Sequence, residues 1–143
     1  MKTIIVKILS FILALSLCFA ICSCGANSYS AFMLVRSSTA NKFDLGFEAL
    51  SGSLSQKLSN SYTQDTSMSV EASLREGEME IYYTPSTYDG ELLLCKLSGG
   101  ETESLSSAGY LTNGESVRIT VRVPDGVRAS GGKVTVTIND PAS

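Results

Sequence analysis

The sequence contains no histidine and no tryptophan among its 143 residues, and only three prolines. Without histidine there can be no Ser-His-Asp or Cys-His nucleophile machinery and no ordinary zinc site. Of four cysteines, only Cys95 lies beyond residue 24, which leaves no disulfide framework and no cysteine metal cluster in the bulk of the chain. No acidic residue precedes Asp44. Beyond the first two dozen residues there is no apolar pattern of helical period, and the abundant serine and threonine sit between short alternating runs.

What is present begins with an address. Lys2 and Lys7 give a positive start, and Ile8 to Ile21 are apolar or small. A positive head, an apolar run of this length and a polar exit make a helical secretory signal. The run is short for a membrane span, which takes roughly 20 apolar residues. At its exit stand Ile21, Cys22, Ser23 and Cys24, then Gly25. This stretch resembles the lipobox of bacterial lipoproteins, with Ile21 in the aliphatic slot, Ser23 in the small slot and Cys24 at the modified position. Cys22 departs from the usual small or hydroxyl residue. The resemblance implies cleavage before Cys24, a diacylglyceryl anchor with palmitate-type chains on Cys24, and an extracytoplasmic place on the cell membrane. An uncleaved anchor and a released soluble form stay open as alternatives. The division expected is a lipoprotein signal peptide over 1–23, a lipid-anchored cysteine and tether over 24–41, and a folded domain over 42–143.

Cleavage would remove two of the 11 basic residues, leaving nine against 14 acidic ones, a net charge of −5. That balance argues against nucleic acid or direct binding to anionic lipid, both of which want basic patches. It leaves a protein or glycan partner open, besides the membrane reached through the lipid.

From Gly25 to Ser30 the chain is small and polar, and Ala31 to Val35 form a compact apolar run. Phe43, Leu45, Phe47 and Ala49 then alternate with Lys42, Asp44, Gly46 and Glu48, the period of a half-buried strand. Gly52 breaks this strand, and Leu54 to Leu58 read as a short return. Met68, Val70, Ala72 and Leu74 alternate, as do Met79, Ile81 and Tyr83 beyond the Arg75 to Glu78 turn, predicting a hairpin. Glu91 to Leu97 read as a strand covered on both faces, and Ser98 to Ser107 as a connection. Asn113-Gly114 is a strong hairpin signal before Val117, Ile119, Val121 and Val123. The last strand places Val134, Val136 and Ile138 inward. The fold expected is all-β: an antiparallel β-sandwich, or a partly open barrel, of about seven to nine short strands. Over most of its length after the signal, the pattern resembles small lipid-anchored β-sandwich proteins of Gram-positive bacteria, a likeness that transfers no functional residue.

Candidate chemistry is thin. Glu76, Glu78 and Glu80 share one face of a strand, and Glu101 and Glu103 read as loop residues. Such carboxylates are more in keeping with a solvated surface than with paired acid and base groups across a cleft. Asp89 with Glu91, and Asn139 with Asp140, are too sparse for a calcium loop. Cys95 reads as a buried thiol. No cofactor is implied and no catalytic residue is named. Tyr82, Tyr88 and Tyr110 are the candidate binding surface, since exposed tyrosine suits glycan platforms and protein interfaces alike. The expectation is a non-catalytic interaction or binding module; a structural envelope protein without a ligand, or a carbohydrate-binding accessory domain, is the alternative.

Overall fold

A computed structural model describes residues 28–142. The signal segment and Cys24 lie outside them. Nine strands follow in order: β1 (Ser28–Phe32), β2 (Val35–Ser38), β3 (Lys42–Ser59), β4 (Thr66–Glu76), β5 (Glu78–Pro85), β6 (Leu92–Ser98), β7 (Thr102–Leu111), β8 (Ser116–Arg122) and β9 (Ala129–Ile138). No helix occurs among the described residues, and every strand pair is antiparallel.

β3 organises the rest. Its first arm pairs with β9 from Lys42↔Thr137 to Leu50↔Ala129, and its second arm pairs with β8 from Ser53↔Arg122 to Ser59↔Ser116. Since β8 and β9 run in opposite directions, the two arms must as well. The chain reverses at Gly52, whose φ of 87° is accessible to glycine without strain. One sheet is therefore β7-β4-β9-β3 first arm, with β1 and β2 along its outer margin. The other is β6-β5-β8-β3 second arm. A strand that turns a corner between facing sheets is a known way to build a sandwich. This order, two four-stranded sheets with alternating connections, is a jelly roll.

The alternation read from the sequence sets the faces. Phe43, Leu45 and Phe47 from β3, Met68 and Val70 from β4, Met79 and Ile81 from β5, Ile119 from β8 and Val136 from β9 all point between the sheets and are buried. Each such side chain contributes about 1.5–3 kcal/mol by leaving water. Phe47 lies directly across from Gly132, and a Cβ there would come within 2.1 Å of the ring, so the missing side chain makes room for the phenyl group.

Four sequence expectations are corrected. Arg75 to Glu78 do not close a hairpin, because β4 pairs with β7 and β9 while β5 pairs with β6 and β8. Only Gly77 separates the two strands, and its φ of 94° throws the chain from one sheet to the other. Asn113-Gly114 likewise turns the chain, but β7 and β8 belong to opposite sheets. Leu93 is exposed: β6 is an edge strand, and a register shift between Ile81↔Cys95 and Tyr82↔Leu93 turns Leu93 outward while Cys95 and Leu97 stay inside. Glu103 is a strand residue of β7. In addition, β1 and β2 pair with β3, so the sheet already begins at Ser28, within the stretch read as tether.

Candidate functional site

The jelly roll has two ends. At one lie the Gly52 corner, the β4–β5, β6–β7 and β8–β9 connections and the start of β1. At the other lie the β3–β4, β5–β6 and β7–β8 loops and the exit of β9. The three candidate tyrosines divide between a sheet face and this second, loop-rich end.

Tyr82 belongs to a sheet face. Its ring lies 4.9 Å from the Arg122 guanidinium, and its hydroxyl donates to Glu80, which raises the phenol's pKa. Arg122 also makes a two-pronged pair with Glu91, both contacts 2.8 Å, which lowers the Glu91 pKa. Glu80 faces Lys96 at 3.7 Å. Of the three glutamates expected to share a strand, Glu76 ends β4 while Glu78 and Glu80 belong to β5, and Glu80 alone of them makes an ion pair among the described residues; Tyr82 is half-buried beside it.

Tyr88 stands in the β5–β6 loop over a depression of about 260 Å³ with Lys57 and Arg118. These two cations sit directly opposite each other in the β3–β8 register, and neither makes an ion pair among the described residues. The Tyr88 ring is exposed.

Tyr110 is held differently. It is 61% exposed, yet its hydroxyl donates to the Asp65 carboxylate from the β3–β4 loop. The other Asp65 oxygen accepts the Asn113 amide at 2.9 Å. The hydroxyl bond first and the amide second hold Asp65 below its ordinary pKa, and the same contact raises that of Tyr110. The ring is fixed at its polar tip while its face stays open to solvent. It borders a depression of about 570 Å³ lined by Asp65, Ser67, Ser107, Asn139 and Asp140 among others. The floor is stitched together: Ser107 Oγ donates to Ser67 Oγ at 3.0 Å, and Asn139 Nδ2 donates to Ser67 Oγ at 3.1 Å and to the Ser106 carbonyl at 2.9 Å. Register shifts in the β4–β7 pairing, between Thr66 and Met68 and between Met68 and Val70, lie beside it. Bulges of this kind re-aim side chains next to sites.

Glu115 joins the two tyrosine regions. Its buried carboxylate accepts from the Thr112 amide at 2.8 Å, the Thr112 hydroxyl at 2.9 Å and the Thr87 amide at 3.2 Å, and from the Thr87 hydroxyl. Burial alone raises its pKa; the Thr87 and Thr112 bonds outweigh that and hold it below the ordinary range.

Asp65 escaped the sequence reading as the partner of Tyr110, as did Asn139 and Asp140 as lining of the same depression. The residues are separated by more than 70 positions at the extremes, and only the pairing of β4 with both β7 and β9 brings their loops together. The Asn139-Asp140 pair was visible as adjacent oxygen-bearing groups, without sign of what they face.

No family model matches the chain, and no curated protein matches it either. Among solved structures it is similar to a family 29 carbohydrate binding module at 14% identity, over 80% of this chain and 76% of that one, with a TM-score of 0.40. A variant module of that family complexed with cellulohexaose gives 12% identity, 80% and 78% coverage and a TM-score of 0.41. A protein from Neisseria meningitidis gives 13%, 77% and 87% coverage, and 0.33. At these identities and TM-scores the likeness assigns no ligand to this chain.

Proposed function

We propose that the chain is an extracytoplasmic lipoprotein, anchored through Cys24, whose jelly roll is a non-catalytic binding module for a glycan at the loop end. The observation that carries this reading is Tyr110. A ring fixed by its own hydroxyl loses little conformational freedom on binding, and preorganisation of this kind favours affinity. The hydroxyls and amides beside it offer hydrogen bonds to a ligand rich in donors and acceptors, while the ring takes the apolar face of a sugar. The open depression suits an extended polymer better than an enclosed small molecule. The site is also well placed, because β1 enters at the opposite end of the sandwich.

Affinity electrophoresis of the full chain against a panel of soluble polysaccharides tests the proposal. At least one glycan should retard the protein, Tyr110→Ala should lose tenfold or more in affinity, and Tyr110→Phe, which keeps the ring but frees it from Asp65, should fall between Tyr110→Ala and the unaltered protein. Retardation by none of the panel, or an unchanged Tyr110→Ala, would overturn the glycan reading.

A further inference from the structure

The described surface carries seven exposed large apolar side chains, and four of them fall between residues 29 and 35: Tyr29, Phe32, Met33 and Val35, the last three 59%, 66% and 70% exposed. They occupy β1, β2 and the kink between them, where Met33 has a φ of 50°. These strands pair with β3 on one side only and form the free margin of their sheet. A cluster of this kind on a small domain marks a contact surface.

Two observations say what covers it. From Cys24 to Ser28, where β1 begins, there are four residues, which span at most about 14 Å when fully extended. Anything attached to Cys24 therefore lies close to the start of the strip. Charge is divided along the same line. Between Gly25 and Phe43 the only charges are Arg36 and Lys42, whereas all 14 acidic residues lie at or beyond Asp44. In space Met33 and Val35 lie beside Asp44, Glu48, Arg75 and Lys133, with Lys42 paired to Asp44 and Arg75 to Glu48, so Arg36 and Lys133 leave a small local excess of positive charge on an otherwise acidic chain, which favours an anionic lipid surface at short range.

We propose that the Tyr29–Val35 margin lies in the membrane interface, with Phe32, Met33 and Val35 inserted among the headgroups. The lipid on Cys24 and the strip then form two attachment points, which orient the sandwich as well as tether it, with the β1–β2 side toward the membrane. This inference rests on the anchoring proposed above and adds to it a second contact and a fixed orientation.

The absence of tryptophan makes the test direct, since Phe32→Trp introduces the sole indole. The full-length chain, expressed in a bacterium and extracted from its membranes, is placed in vesicles of anionic and brominated phospholipid. Val35→Trp is a second probe in case Phe32→Trp folds poorly, and Leu93→Trp, exposed on the opposite margin, is the control. Intact mass reports lipidation of every sample. The expected result is blue-shifted emission, quenched by half or more for Phe32→Trp and Val35→Trp, with Leu93→Trp unquenched. Equal, weak quenching of all three in lipidated protein overturns the strip contact and leaves the anchor standing. An unlipidated mass overturns the anchor, and the strip contact falls with it unless the Phe32→Trp emission is still quenched. A blue shift without quenching, together with a dimeric mass in solution, assigns the margin to a second copy and overturns the proposal.

Discussion

A Cβ at Gly77 would lie 2.5 Å from the Arg128 carbonyl oxygen, at a φ of 94° that side chains rarely adopt. The obstacle is backbone on both counts, so no rotamer change relieves it. Gly77→Ala is expected to cost about 2–4 kcal/mol, the sum of left-handed strain and a displaced neighbouring turn, read as a lowered urea midpoint with an unchanged slope. A loss below about 0.5 kcal/mol would show that the arch is not fixed there. Cys95 is constrained in another way: burial, and then Glu103 on β7, push its thiol up to about 11, so it stays protonated and unreactive at neutral pH. That much was legible, because Cys95 sits two residues from inward Leu97. The difference between Tyr82 and Tyr110 was not. Both read as outward tyrosines on strands, and only the third dimension puts one beneath Arg122 and the other beside Asp65.

The connections between strands depend on a few buried polar contacts, and Glu115 is the most heavily used. Its acceptors hold the β7–β8 arch to the β5–β6 loop, so Glu115→Ala leaves the Thr87 and Thr112 amides without that partner and should cost about 2–3 kcal/mol. Because its pKa is depressed in the folded state, its stabilisation is complete above the unfolded value of about 4.3 and is lost as pH falls through the lower, folded value. Glu115→Gln should therefore flatten the decline in stability between about pH 4.5 and 2, measured by urea denaturation across that range. A decline as steep as that of the unaltered protein would contradict the assignment.

Strands and their faces were largely legible, since period-2 alternation at Phe43, Val117 and Val134 is a local consequence of burying one face. Partners were not. Arg75 to Glu78 and Asn113-Gly114 carry the chemistry of tight turns, and turn they do, but whether the next strand pairs or crosses to the facing sheet depends on which sheet buries it. The first part of β7, Thr102 to Ser107, read as a connection because it is an edge rich in serine, and edges need little hydrophobic alternation.

At the scale of the whole molecule, β3 is the hinge of the design. By passing through both sheets it sets the start of β1 at one end of the sandwich and leaves the loops bearing Tyr88 and Tyr110 at the other. Arg36 helps to close that side: it reaches from β2 to the Ser55 carbonyl at 2.9 Å and to the Gln56 side chain, with its guanidinium 5.8 Å from the Phe43 ring. With the proposed anchor on Cys24, location and orientation become one question, because a four-residue link would hold the start of β1 near the membrane. Everything in this arrangement turns on Cys24. Intact-mass measurement of the membrane-extracted protein tests it most directly. The account predicts a chain beginning at Cys24 and heavier than its residues by a diacylglyceryl group, with Cys24→Ala accumulating as the unprocessed precursor. A mass equal to the whole unmodified sequence, or to a shorter chain without lipid, would contradict it.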